Sequence, residues 1–187
     1  MRAHKKFRAF YALASLLLLT SAAEARRVNA RFFLDGAAGV SIPIAQSPYA
    51  DAFWPAPKLS LRLGAELWLT HRFGLAPELA LDGAPLISRG DDDVHAGKGR
   101  FQVGLRLLAG FGRGHAFFGR FLLGAEVINQ TAGFTTEPGL GMQFRIAHHA
   151  VAGFTLGFPL SVYHFTAPER SVVQVDFDLL VFIGLRI

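Results

Sequence analysis

The 187-residue chain has no cysteine. That excludes a disulfide framework, a thiolate metal site and a lipid-modified cysteine near the N-terminus. It has only two methionines, two tryptophans and three tyrosines, so its aromatic content rests on 18 phenylalanines. It also lacks an apolar run of about 20 residues, the length a membrane-spanning helix needs. The longest such run, Phe10 to Thr20, is too short. No Lys/Arg run with interleaved aromatics occurs either, so the formal charge of +5 gives no ground for a nucleic-acid partner.

What is present begins with an export signal. Arg2, Lys5, Lys6 and Arg8 form a basic stretch ahead of the apolar run, and Ala23-Glu24-Ala25 is a small-residue cleavage site. Residues 1–25 are therefore expected to be a signal peptide, with residues 26–187 forming one domain. Their removal takes away four Lys/Arg and Glu24, leaving 15 basic against 13 acidic residues, a net of +2.

The remaining chain is still apolar, with a mean hydropathy of +0.33 over the full sequence. With no second apolar 20-mer, a membrane protein of this kind must span as a closed β-barrel. The stretch KLSLRLGAELWLT, residues 58–70, shows the pattern expected of such a barrel. Leu59, Leu61, Leu63, Ala65, Leu67 and Leu69 alternate with Lys58, Ser60, Arg62, Gly64, Glu66 and Trp68. Period-two alternation is a strand signal.

The pattern recurs over residues 31–42, 73–82, 100–111, 116–128, 139–147, 151–162 and 172–187, which makes eight strands. Pro77 weakens the strand at 73–82, because it removes a ladder donor. Connections rich in Pro, Gly, Asp and Ser are expected at 43–57, 83–98, 129–138 and 163–171. Short turns are expected at His71-Arg72, Gly112-Arg113-Gly114 and His148-His149. This long–short alternation is the layout of an outer-membrane barrel with short periplasmic turns.

Which face meets lipid follows from volume. One face carries no charge along all eight strands. It includes Leu59, Leu61, Leu63, Leu67, Leu69, Phe101, Leu105, Phe121, Phe144, Phe177, Leu179, Val181 and Ile183. The other carries both signs: Asp35, Arg62, Glu66, Glu78, Arg106, Arg120, Glu126, Arg145, Asp176, Asp178 and Arg186, among many glycines. An eight-stranded barrel has interior room only for the side chains that fill it. The bulky leucines and phenylalanines do not fit there, so they are expected to face lipid. A soluble lipocalin-like barrel also alternates, but it explains neither the export signal nor the sorted connections. The inward charges are expected to pair across strands and plug the lumen, with Arg62 or Arg106 meeting Glu66 or Glu126. Phe32, Phe73, Phe111, Phe117 and Phe154 are expected to form an aromatic girdle at the periplasmic interface.

In KLSLRLGAELWLT, the hairpin WLTHRFGLAPELAL and the terminal VDFDLLVFIGLRI, the chain resembles the small eight-stranded outer-membrane barrels of Gram-negative bacteria, the OmpA/OmpX-like β-barrel domain. The resemblance implies an all-β, antiparallel up-and-down barrel in the cell outer membrane. It implies outer-membrane lipid and lipopolysaccharide as surroundings. It also implies envelope assembly machinery that reads the last strand, where Phe182, Gly184 and Leu185 suit the pattern and Ile187 stands in place of the usual aromatic.

Chemistry-bearing clusters are sparse. Lipid A-modifying enzymes occur among small barrels, and Ser161, His164, Glu169 and Ser171 are the residues that would supply a serine, a base and an acid. They do not follow a His-x-Ser-Asn pattern. Asp91-Asp92-Asp93 with His95 lacks the ligand spacing of a calcium loop. Arg89-Gly90-Asp91 and Asn129-Gln130-Thr131 are chance-level motifs, and His148-His149 is not a metal pair by strand geometry. The expectation is a monomeric, non-enzymatic structural or surface-interaction barrel without catalytic residues, metal or cofactor. Its specificity is expected to lie in four outer loops that meet an extracellular ligand. The alternatives are a small or gated porin-like channel and a lipid A-modifying enzyme.

Overall fold

A computed structural model describes residues 29–47, 55–87, 94–112, 114–128, 131–166 and 169–187. The expected signal peptide lies outside them, as do Asp91-Asp92-Asp93, Arg89 and Asn129.

The strands are β1 (Asn29–Ser47), β2 (Ala56–Trp68), β3 (Phe73–Ile87), β4 (Val94–Phe111), β5 (His115–Ile128), β6 (Thr131–Arg145), β7 (Ala150–Gly157), β8 (Leu160–Thr166) and β9 (Glu169–Arg186). Each pairs antiparallel with its neighbour, and β9 closes back onto β1. Segments β7 and β8 form one stave. Gly157↔Asp178 and Leu160↔Val175 keep a single register across the Phe158-Pro159 break. There the Asp176 amide donates to the Pro159 carbonyl at 2.9 Å. The result is an eight-stave antiparallel barrel with no open edge.

Closure is completed at the chain ends, where Phe32 and Ile187 exchange backbone hydrogen bonds of 2.8 and 2.9 Å. Pro77 interrupts the β2–β3 ladder between Gly64↔Glu78 and Leu67↔Leu75, as the missing N–H requires. The turn end carries Asn29, Ile187 and the three short turns; in outer-membrane barrels this is the periplasmic end. Gly112 and Gly114 take φ of +64° and +88° there, which lets the β4–β5 turn reverse tightly.

Two of the expected outer loops are corrected. Strand β5 ends at Ile128 and β6 begins at Thr131, and β8 ends at Thr166 and β9 begins at Glu169. The stretches 129–138 and 163–171 are therefore largely strand. Gaps of several residues remain between strands at 48–55 and 88–93, shorter than the expected 43–57 and 83–98. Gly, Pro and Asp within these stretches read as loop, yet the ladder continues through them.

Burial decides the face question. Lys58, Ser60 and Arg62 are 2%, 6% and 2% exposed, while Leu59, Leu61 and Leu63 are 67%, 43% and 41% exposed. The charged face is inside and the apolar face outside. Every lipid-facing residue expected from the sequence points outward, with Leu67, Phe144 and Phe177 partly covered by neighbours. Phe32, Phe73, Phe117 and Phe154 stand exposed on the outer wall near the turn end, and the Phe111 and Phe117 rings meet at 4.6 Å.

Adjacent strands approach so closely at some inward positions that no side chain is tolerated. A Cβ on Gly124 would lie 2.0 Å from the Phe101 carbonyl oxygen, whereas one on Gly36 on the outer wall meets nothing within 4 Å. Gly124→Ala should lower the urea midpoint of the folded barrel by the equivalent of about 1–3 kcal/mol, and Gly36→Ala should leave it unchanged. Equal midpoints for the two variants would contradict the tight inward approach.

Candidate functional site

The strand alternation aims seven cations and eight carboxylates into the lumen among the described residues. They are Lys58, Arg62, Lys98, Arg100, Arg106, Arg120 and Arg186, against Asp35, Glu66, Glu78, Asp82, Glu126, Glu137, Asp176 and Asp178. All are buried, and they sort into two layers.

The layer toward the turn end is built around two arginines. Arg106 Nε and Nη2 both donate to Glu78 Oε2, and its Nη1 lies 3.4 Å from Asp35. Its guanidinium is sandwiched between the Phe33 and Phe118 rings, 4.8 and 4.6 Å from their centroids. Arg186 lies 2.5 Å from Asp35 and 2.7 Å from Glu66. Gln143 and the Trp68 indole N–H also donate to Glu66, each at 3.2 Å. Phe33, Leu108, Phe118, Val151, Leu180 and Phe182 pack around these charges as an apolar core inside the barrel.

The outer layer is larger. Lys58 lies 2.5 Å from Asp178 and 2.6 Å from Asp82. Arg100 is the hub, paired with Glu126, with Asp176 at 2.6 Å and with Asp178 at 3.0 Å. Lys98 joins Asp176 and Glu126, and Arg120 pairs with Glu137. Tyr163 and Ser161 donate to Glu126, and Ser161 also reaches Thr135 at 3.0 Å. Arg62 donates Nε to Ser60 at 3.1 Å and makes no ion pair among the described residues.

These groups leave little room. The void beside Lys58, Asp82, Lys98 and Arg100 is about 10 Å³, at most the space of one water. A larger concavity of about 980 Å³ lies on the outer wall between Gly36, Leu59, Leu81, Gly99 and Val181, and is part of the lipid-facing surface. Buried ions in such surroundings are tolerable only when paired, and all of the fifteen except Arg62 lie within 4 Å of an opposite charge.

The expected set is therefore partly corrected. Ten of the eleven named charges are buried in the lumen, but Arg145 lies on the rim. Its Nε donates to the Ala147 carbonyl at 3.1 Å, because β6 ends there. The expected pairs of Arg62 or Arg106 with Glu66 or Glu126 do not form; Glu66 takes Arg186, and Glu126 takes Arg100 and Lys98. Five lumen charges were missed: Lys58, Asp82, Lys98, Arg100 and Glu137. Lys58 already stood on the charged face, and Asp82 follows Glu78 onto it by the same alternation. Lys98, Arg100 and Glu137 were findable by running the alternation back from Phe101 and Leu140.

The rim residues with catalytic chemistry are divided by the wall. Ser161 is buried in the lumen, while His164 is exposed outside with its Nδ1 3.2 Å from Ser171 Oγ. The Glu169 side chain lies outside the described residues, as does that of His95. His148 and His149 sit in a turn with ring centroids 4.3 Å apart, their Nδ1 atoms engaged by Arg145 and by the Arg186 carbonyl. No group of metal-ligating side chains occurs among the described residues.

No family model and no curated protein matches the chain. Solved structures do. The outer membrane protein OprG from Pseudomonas aeruginosa aligns with a TM-score of 0.53 at 10% identity, covering 86% of this chain and 97% of that one. Neisserial surface protein A aligns at a TM-score of 0.47 and 11% identity, covering 84% and 98%. The attachment invasion locus protein Ail of Yersinia pestis aligns at 0.48 and 10% identity, covering 86% and 99%. At these identities the likeness shows the fold alone: the chain is an outer-membrane β-barrel of eight staves, with its apolar wall toward lipid.

Proposed function

We propose that the protein is a non-enzymatic structural or surface-interaction barrel of the outer membrane, with a lumen closed by ion pairs. The observation that carries this reading is the double layer of buried charges, in which cations and carboxylates neutralise one another across the lumen. A conducting pore needs free aqueous cross-section, and larger barrels are the ones that have it. The OmpA/OmpX-like grouping belongs to this proposal, supported by strand number and connectivity. So do a monomeric state, lipopolysaccharide around the outer wall, and assembly machinery reading β9. The connections at 48–55 and 88–93, with Asp51 and Asp91-Asp92-Asp93 in their sequence, are the segments assigned to an extracellular ligand.

Planar-bilayer recording of the purified protein tests the closed lumen. Negligible steady conductance is expected; large, stable channels from unmutated protein would favour the porin-like reading instead.

One observation favours a second reading, a lipid A-modifying enzyme. The exposed His164–Ser171 pair sits at the outer rim on the lipid-facing side, where a base beside a hydroxyl would meet an acyl ester. Mass analysis of lipid A from cells with and without the protein separates the two. Unchanged acylation is expected on the first reading. Acyl loss abolished by His164→Ala would establish the second.

A further inference from the structure

The cavity at the turn end of the barrel is lined by basic side chains and by no acidic one. Arg31, His71, His115 and Arg145 line a cavity of about 680 Å³ that also includes Trp68. Arg72, His148 and His149 stand exposed in the turns of the same end. Apart from the terminal carboxylate of Ile187, no exposed acidic group occurs at this end among the described residues; Glu66, the nearest in sequence, is buried and paired with Arg186.

The cationic groups are arranged for an incoming acceptor. Arg31 is exposed and makes no hydrogen bond or ion pair among the described residues. Arg145 is held by the Ala147 and His148 carbonyls through Nε and Nη2, each at 3.1 Å, which leaves Nη1 uncommitted. The Arg145 backbone N–H donates to His115 Nδ1 at 3.2 Å, so the neutral ring carries its proton on Nε2, a donor. Trp68 already gives its N–H to Glu66 and supplies only an aromatic wall. A one-signed cleft with low-dielectric walls concentrates its potential on the opening. Guanidinium groups match the geometry of a phosphate with parallel N–H donors.

We propose that this vestibule binds a phosphate group presented from the periplasmic side, with Arg31 and Arg145 as its principal donors. The phosphate is carried either by a free periplasmic anion or by a phospholipid headgroup of the inner leaflet.

Trp68 supplies the readout. In a Trp54→Phe background it is the sole tryptophan. The protein is placed in alkyl-maltoside micelles, which carry no phosphate, and titrated with inorganic phosphate, against sodium chloride at matched ionic strength. A saturable change in Trp68 emission with phosphate and none with chloride is expected. Arg31→Gln should weaken it by about tenfold or more, the loss of one charge-assisted contact, and Arg145→Gln should do likewise. Arg31 has no partner among the described residues, so its variant is expected to retain the barrel, as gel mobility of unheated sample verifies. The absence of a saturable response, or an unchanged response in Arg31→Gln, would overturn the proposal. Repeating the titration in phosphatidylglycerol bilayers identifies the source. An emission already at its bound value assigns the site to the lipid headgroup, and an unaltered titration assigns it to the free anion.

Discussion

Leu63→Arg and Leu179→Arg should each sharply reduce folding into lipid vesicles, whereas Arg62→Leu should leave insertion nearly intact. Leu63 and Leu179 point outward near the middles of β2 and β9, and Arg62 points inward beside Leu63. An arginine against hydrocarbon at the bilayer midplane costs about 2–4 kcal/mol. That corresponds to a folded fraction reduced by roughly 30- to 1000-fold in the equilibrium constant. Among the described residues Arg62 bonds only Ser60 and makes no ion pair, and leucine adds no charge to the lumen. The measurement is the heat-sensitive gel shift after dilution into vesicles, followed by urea titration. Equal losses for Leu63→Arg and Arg62→Leu would reverse the assignment of the two faces.

Neutralising Arg106 should destabilise the barrel more than neutralising Arg100, although Arg100 makes more contacts. Arg106 is the one cation within 4 Å of Glu78 among the described residues, so Arg106→Met strands a buried carboxylate. Breaking a buried pair from one side costs about 3–5 kcal/mol. In Arg100→Met the carboxylates keep other partners: Lys98 remains with Glu126 and Asp176, and Lys58 remains with Asp178. The double change Arg106→Met/Glu78→Leu removes both ions and should recover most of the loss, since a buried pair replaced by apolar groups is often neutral or better. Chemical denaturation of the four proteins in detergent or vesicles reads these differences. A double variant no more stable than Arg106→Met would show that the cost lies in lost packing against Phe33 and Phe118 instead.

Strand identity and face were legible because they depend on local alternation and on volume. Leu59 and Lys58 needed no partner to be assigned, only the fact that eight staves cannot enclose so many large apolar residues. Strand ends were less legible. Pro138-Gly139 and Gly97-Lys98-Gly99 carry the composition of turns, yet the ladder passes through them and brings Glu137 and Lys98 into the lumen. Ion-pair partners were not legible at all. Arg186 meets Asp35 across 151 positions of sequence, and Lys58 meets Asp178 across 120. Such pairings are set by the stagger and closure of the sheet, which no local pattern encodes. Arg106 does find its carboxylate on a neighbouring strand, but at Glu78 and not at the residues expected.

Because the chain has no cysteine of its own, thiol labelling in bilayers distinguishes the two faces: apolar wall to lipid, closed lumen within. Single cysteines are placed at Leu59, Leu61 and Leu63 on the outer wall and at Ser60, Gln102 and Thr155 inside, positions whose replacement removes no charge. A lipid-soluble thiol reagent should label the three outer positions, and the three inner positions should resist both it and a small water-soluble reagent. Rapid labelling of the inner positions by the water-soluble reagent would contradict the closed lumen, and its rapid reaction with the outer positions would contradict the membrane-facing wall.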